Sequence, residues 1–293
     1  MTYPGILLKA WQLGPKKQLG QNFLTDPSVS EMIVRKSGIT DQDHVVEIGP
    51  GLGALTIPLL KKAKKVYAIE KDTSLIPVLR AEVLAENIPI EKLDIQNRNV
   101  LDVNFFEFEG GASGKIVIIG NLPYNISSQI LIKLMQSRQT VRKAIFMFQK
   151  ELAQRIVAAP GGKDYGRLSV ALQYCSVIRK IAEVRANLFF PKPKVDSEVI
   201  EIVFKDAPED LVNNEDFFLK VIKAGFGRRR KTLRNSLLGS ELDISSDKAI
   251  RALEKSGIDP VRRAETLTVK EFVMLSNFLE EELTGISDGL LKT

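Results

Sequence analysis

His44-Val45-Val46-Glu47-Ile48-Gly49-Pro50-Gly51-Leu52-Gly53 decides the fold of this 293-residue chain. Val45–Ile48 reads as a short strand buried on both faces, as in a parallel sheet sandwiched between helices. The glycines behind it let backbone approach a ligand closely, and a helix opening after them adds N–H donors and a favourable dipole. Glu70 closes the next apolar run, 19 residues beyond Gly51, where a carboxylate can accept from both ribose hydroxyls. This is the layout of an adenosine-cofactor site at a switch point in a parallel sheet.

Which cofactor is a separate question. Gly49-x-Gly51-x-x-Ala54 satisfies the dinucleotide pattern, so the loop alone leaves NAD and S-adenosylmethionine both open. Two neighbours favour the latter. Glu47 lies where it can face a charged amino-acid end, and Pro50 stiffens a loop that need not wrap a pyrophosphate.

Outward from that stretch, apolar runs at 44–48, 65–70, 93–97, 115–120 and 143–149 alternate with helical patterns around 53–62, 72–85 and 127–136. Asp26-Pro27 reads as a helix cap followed by proline at the first helical position, with Gly38 as the stop. Two later runs, near 178–185 and 198–204, follow without a crossover helix and suit an antiparallel pair at the sheet's edge. Past Phe204 the texture changes. Lys205-Asp206-Ala207-Pro208-Glu209-Asp210 is a polar linker, and 215–225, 228–238, 246–256 and 268–282 read as helices only. The expectation is two domains: 1–205, an α/β cofactor-binding catalytic domain, and 206–293, all-α.

Composition narrows the function. The single cysteine, Cys175, excludes an internal disulfide and any cysteine-cluster metal site, and suits a reducing cytoplasm. The single histidine, His44, falls inside a strand, so hydrolase triads and histidine-rich metal sites are poor fits; no metal is expected. No apolar run approaches the roughly 18 residues of a membrane helix. Residues 1–25 lack acids, as in a mitochondrial presequence, but they are poor in Arg and Ser. The net charge of +6 favours a polyanionic partner. Its distribution says more: Lys9, Lys16 and Lys17 precede the first acid, and Arg228, Arg229, Arg230, Lys231 and Arg234 crowd one stretch. A solvated helix face is the plain alternative for that stretch. With no coiled-coil pattern or exposed apolar stripe, a monomer is expected.

Gly120-Asn121-Leu122-Pro123-Tyr124 follows the strand Lys115–Ile119 at the ligand-binding end of the sheet. Methylating an exocyclic adenine amine requires little base, because the nitrogen carries no charge to lose first. Its lone pair is delocalised into the ring, however, and must be drawn out. Two acceptors gripping its N–H bonds do that, and the Asn121 side-chain oxygen with a backbone carbonyl of Leu122-Pro123 supplies them. Pro123 holds the turn rigid. Tyr124 offers a stacking ring, worth roughly 1–3 kcal/mol against the few kcal/mol needed to extract the base. Phe189, in the proline-restricted loop Leu188–Ser197, is the candidate second ring.

With these motifs in this order, the chain resembles the KsgA-type rRNA adenine dimethyltransferases over about residues 16–285. The resemblance is carried by Gln21-Asn22-Phe23-Leu24, Glu47–Gly53, Ile69-Glu70, Asn121–Tyr124, Phe148-Gln149-Lys150-Glu151, Tyr165-Gly166-Arg167-Leu168-Ser169 and Phe189–Ser197. It implies a Rossmann-like class I S-adenosylmethionine-dependent methyltransferase sheet with a smaller C-terminal all-α domain. The implied activity is dimethylation of two adjacent adenosines near the 3′ end of small-subunit rRNA, with rRNA or an immature 30S subunit as partner in the cytoplasm. By resemblance Asn22, Leu24, Gly49, Gly51, Glu70, Asn99 and Asn121 contact the cofactor, and Asn121, Tyr124 and Phe189 hold the target adenine. The Gln21–Leu24 segment covers the cofactor, and Arg228–Arg234 lies in the domain that docks on rRNA. Asn99 departs from the family, which usually has Asp there, accepting from the cofactor's adenine amine; the amide oxygen is expected to accept in its place. Asp94 and Asp102 would need a different register. Rival readings are an antibiotic-resistance methyltransferase of large-subunit rRNA, an organellar relative, an NAD-dependent dehydrogenase and a non-catalytic RNA-binding assembly factor. The dehydrogenase leaves Asn121–Tyr124 unexplained.

Overall fold

The computed structural model describes residues 2–123 and 126–284, so Tyr124 lies outside the described residues. The chain divides into two compact units, Met1–Ala153 with Val177–Asp206, and Gln154–Ser176 with Ala207–Thr293.

The first unit is built on strands β1 (Phe23–Leu24), β2 (His44–Ile48), β3 (Lys65–Glu70), β4 (Leu93–Asn97), β5 (Ile116–Asn121), β6 (Val141–Gln149), β7 (Ser176–Val184), β8 (Phe189–Phe190) and β9 (Ser197–Phe204). Seven of them form one sheet in the order β4-β3-β2-β5-β6-β9-β7, while β1 and β8 form a small antiparallel pair. β4, β3, β2, β5 and β6 run parallel, and β9 pairs antiparallel with β6. β2 and β5 are covered along almost their whole length, which is why neither shows the apolar–polar alternation of a one-sided strand. Chain order climbs outward from β2 through β3 to β4, then restarts on the other side at β5. The strand order therefore reverses between β2 and β5, where a parallel sheet opens a crevice for a ligand. Gly120 permits the close approach of these two strands: a Cβ there would stand 2.5 Å from the Ile48 carbonyl oxygen.

Helices Pro27–Lys36, Thr56–Leu60, Ile76–Ala85 and Ser127–Gln136 belong to this unit. The first starts as its sequence predicts. Asp26 caps it, accepting from Ser28 N at 2.9 Å, a bond worth about 1 kcal/mol. The helix expected over 53–62 is shorter, because the glycine turn runs on through Gly53, whose backbone lies in the left-handed region. The N-terminal helix Pro4–Ala10 was not expected from the sequence. His44 is buried, with Nδ1 donating to the Glu109 carbonyl at 3.0 Å; a carbonyl can only accept, so Nδ1 carries the proton. Among the described residues no helix is long and apolar enough to cross a membrane.

The second unit is all helical, with Arg167–Cys175, Glu215–Gly225, Leu233–Leu238, Ser246–Lys255 and Val269–Thr284 as its main elements. Asn214 and Thr232 cap two of them by accepting from the backbone three residues on. Thr268 and Glu271 form a reciprocal capping box for the last, with Glu271 Oε2 accepting from Thr268 N at 2.7 Å. Two boundaries expected from the sequence change. The helix drawn over 228–238 begins only at Leu233, since the Thr232 cap forces extended backbone before it. The division at residue 205 omits Gln154–Ser176, whose helical residues pack with the second unit. Tyr174 illustrates why: its ring centroid lies 4.7 Å from that of Phe218.

Candidate active site

A cleft opens at the carboxyl ends of β2, β3 and β5, and Asn22, Leu24, Gly49, Gly51, Glu70, Asn99 and Asn121 all line it. Its space, open mouth included, amounts to about 1220 Å³. Gly49 and Gly51 have φ of 68° and 56°, a conformation that costs other residues about 1 kcal/mol or more. At Gly51 a Cβ would also stand 3.0 Å from the Phe23 ring.

Two carboxyls meet here. Glu70 Oε2 accepts from Gly51 N at 3.1 Å and Oε1 from Asp72 N at 2.7 Å, which fixes the group while leaving lone pairs for ribose hydroxyls. Burial raises its pKa, opposed by those backbone bonds. Glu47 is more confined. It is 1% exposed, and its Oε2 has no hydrogen-bond partner among the described residues. Burial pushes its carboxyl up to about 8, against the pull of the Thr56 hydroxyl and with the help of Glu70. A buried acceptor without a donor, beside a loop that backbone can approach, fits a ligand that brings its own cation.

Asn121, at the end of β5, donates through Nδ2 to the Asn22 carbonyl at 2.9 Å. A carbonyl cannot donate, so the amide has one possible orientation, with Oδ1 turned away from Asn22 and free to accept. Asn22 itself donates to the Gly20 carbonyl at 3.0 Å. The segment Lys16–Leu24 thus forms a strap along the cleft, and Asp72 fastens it. Lys16 Nζ reaches Asp72 Oδ1 at 2.6 Å and Gln21 Nε2 donates to Asp72 Oδ2 at 2.8 Å. Lys16, one of the cations that precede the first acid, is thus paired within the chain. Asp72 carries one local signal in the sequence, its position as cap of the turn Thr73–Leu75.

Asn99 lines the cleft, whereas Asp94 and Asp102 do not. Its Oδ1, however, accepts from Leu101 N at 3.3 Å. Phe189 does not line the cleft. It is 5% exposed and packs in the core with Leu24, Val184 and Val199. The reason is strand alternation: β8 pairs with β1, so Phe189 and Leu24 face the core together while Phe190 and Phe23 join Leu7 and Leu8 on the other side.

Residues 14–281 match the family model of ribosomal RNA adenine dimethylase. The chain belongs to the ribosomal RNA adenine dimethylase family. It is 56% identical over 281 residues to "Ribosomal RNA small subunit methyltransferase A" of Desulforapulum autotrophicum, covering 95% of this chain and 97% of that protein. Among solved structures it is similar to a dimethyladenosine transferase from Plasmodium falciparum, with TM-score 0.76 and 28% identity over 90% of this chain and 98% of that one. The 23S rRNA methyltransferase ErmE shares the fold at TM-score 0.65 and 22% identity, covering 88% of this chain and 99% of that one.

As a member of this family the enzyme is a methyltransferase that uses S-adenosylmethionine, and the cleft fits that group. Backbone glycines, the Glu70 carboxylate and the unpartnered Glu47 match an adenosine, its ribose and a cationic amino-acid end. In the dimethylase's helical unit the basic stretch splits into two kinds of residue. Arg229 donates to the Lys163 carbonyl and lies 3.9 Å from Glu265, and Arg234 donates to Ser246 Oγ at 2.8 Å. Arg228 packs its guanidinium against Gly239. Arg230 and Lys231 are exposed, and no ion pair engages them among the described residues.

Proposed function

We propose that this chain dimethylates the N6 amines of two adjacent adenosines near the 3′ end of small-subunit rRNA as the subunit matures. The observation that carries the reading is the Asn22–Asn121 bond. It leaves Asn121 Oδ1 free to accept, which supports its taking a hydrogen of the target amine. Oδ1 takes one N–H and a backbone carbonyl of Leu122-Pro123 takes the other. The pull on both hydrogens bends the nitrogen toward tetrahedral geometry and localises its lone pair. Bound S-adenosylmethionine supplies a methyl group on a sulfonium, an electrophile that needs no prior activation. Glu70 positions the ribose and Glu47 receives the positive charge, so both carboxyls orient and neither need abstract a proton. After transfer the nitrogen is cationic and acidic, and it surrenders a proton to water without a dedicated base.

Tyr124 is proposed as the stacking ring for the target base. Phe189 can join it only by leaving the core. Arg230 and Lys231, with the rest of Arg228–Arg234, are proposed as the rRNA-docking face of the helical unit, the enzyme acting as a metal-free monomer in the cytoplasm on an immature small subunit. Incubation with labelled S-adenosylmethionine and immature small subunits, followed by mapping of the modified adenosines, tests the target. Asn121→Ala should lower methyl transfer at least 100-fold while RNA binding persists. Full activity in that variant would sink the proposed grip, and label confined to large-subunit RNA would reassign the substrate.

A further inference from the structure

The chain leaving β5 at Asn121 is fastened again at Pro123 by Ser127, the first residue of the helix Ser127–Gln136. The Ser127 hydroxyl donates to the Pro123 carbonyl at 2.9 Å, and Ile126 N donates to the same oxygen at 3.3 Å. A backbone carbonyl has two lone pairs, and these two donors take both. On the other side, Leu122 N donates to the Met147 carbonyl of β6 at 3.3 Å. The peptide joining Leu122 to Pro123 is therefore held from both sides, with the proline ring fixing the dihedral that follows it. No donor reaches the Leu122 carbonyl among the described residues, so that oxygen is held in place by its neighbours rather than by a bond of its own. Ser127 is 0% exposed, and solvent does not compete for its hydroxyl.

Two methyl transfers to one nitrogen make unequal demands on such a turn. The unmodified amine offers two N–H bonds, one for Asn121 Oδ1 and one for the backbone oxygen. The singly methylated amine offers one, and its methyl group fills the place of the other. In each round the nitrogen's lone pair takes the methyl carbon from sulfur, which keeps the old bonding pair as a neutral thioether, and the nitrogen sheds one proton to water. The second round thus aims the lone pair with half the hydrogen bonds, and depends the more on how rigidly the acceptors are placed. We propose that Ser127 is a positioning residue for the second transfer, its hydroxyl keeping the Leu122-Pro123 peptide fixed when the amine has a single hydrogen left to give. This role presupposes the N6 dimethylation proposed above.

Immature small subunits treated with S-adenosylmethionine and digested to nucleosides give, by mass spectrometry, the ratio of dimethyladenosine to monomethyladenosine. Compared at equal total methylation, Ser127→Ala should lower that ratio by roughly fivefold, the scale of one hydrogen bond. Ser127→Thr, which keeps a hydroxyl, should return it toward the wild-type value. Affinities of the alanine variant for S-adenosylhomocysteine and for the subunit should stay close to those of wild type, which a general loosening of the fold would not allow. Ser127→Cys, nearly the same size and a weaker donor, should move the ratio in the same direction, and it serves if the alanine variant fails to fold. An unchanged ratio, whether or not the overall rate falls, overturns the proposal. Absence of methylated adenosine from small subunits treated with the wild-type protein overturns the dimethylation reading, and this role with it.

Discussion

Glu47 keeps a carboxyl oxygen buried and unpartnered, and that choice has a measurable cost. A carboxyl raised from 4.5 to about 8 holds a proton in the folded protein that the unfolded chain gives up. Between those two values the folded state binds more protons, so stability falls as pH rises through the window and levels off above about 8. The full span is worth up to a few kcal/mol, at 1.36 kcal/mol per unit. Glu47→Gln should remove this decline, and thermal unfolding at pH 6 and pH 8 would show it. A cationic ligand reverses the preference by favouring the carboxylate. Binding of S-adenosylhomocysteine near pH 7 should therefore release a proton, read from calorimetry in two buffers of different ionisation enthalpy. The Gln variant should bind roughly tenfold more weakly and release none. Equal proton release in both would assign the effect to another group. None of this was visible in the sequence beyond the position of Glu47 before the loop, since burial depends on helices packed from far along the chain.

The strap is the element whose behaviour follows most directly from its bonds. Lys16 and Gln21 converge on Asp72, which is in turn tied through its backbone to Glu70. Those partners lie 51 to 56 positions apart, so no local pattern announces them, whereas β2, β3 and the helix Pro27–Lys36 were legible because their signals are apolar runs and caps confined to neighbours. Asp72→Ala removes both fasteners together with the cap on Ser74 N. Hydrogen exchange across residues 16–24 should then speed up by roughly 10-fold, the scale of one or two hydrogen bonds at about 1 kcal/mol each. Cofactor dissociation should quicken in step. Unchanged exchange in the variant would mean that β1 and β8 hold the segment without Asp72. The Arg228–Arg234 stretch taught the opposite lesson. Its composition reads as one basic block, but the partners of Arg229 and Arg234 leave Arg230 and Lys231 as its exposed cations without an ion pair among the described residues.

Across the whole molecule, the sheet and the four C-terminal helices were readable from periodicity, and the assignment of Gln154–Ser176 was not, because membership in a unit depends on tertiary packing rather than on chain order. The proposed docking of rRNA on the helical unit yields a prediction at this scale. Charge reversal at Arg230 and Lys231 together should weaken RNA binding and flatten its salt dependence by about one unit of slope for each phosphate no longer neutralised. The same reversal at Arg229 should chiefly lower stability, through the Lys163 carbonyl and Glu265. Filter binding at several salt concentrations distinguishes the two, and an unchanged slope in the double reversal would make the stretch a solvated face. The bond from Asn121 to the Asn22 carbonyl adds a matter of timing. On the proposed reading, the Asn22 carbonyl that aims Asn121 belongs to the strap along the cofactor cleft, so opening the strap to exchange spent cofactor for fresh would dismantle the grip on the nucleotide. Two methyl groups on one nitrogen then require two separate assemblies of the site, and singly methylated adenosine should accumulate and escape when cofactor is scarce.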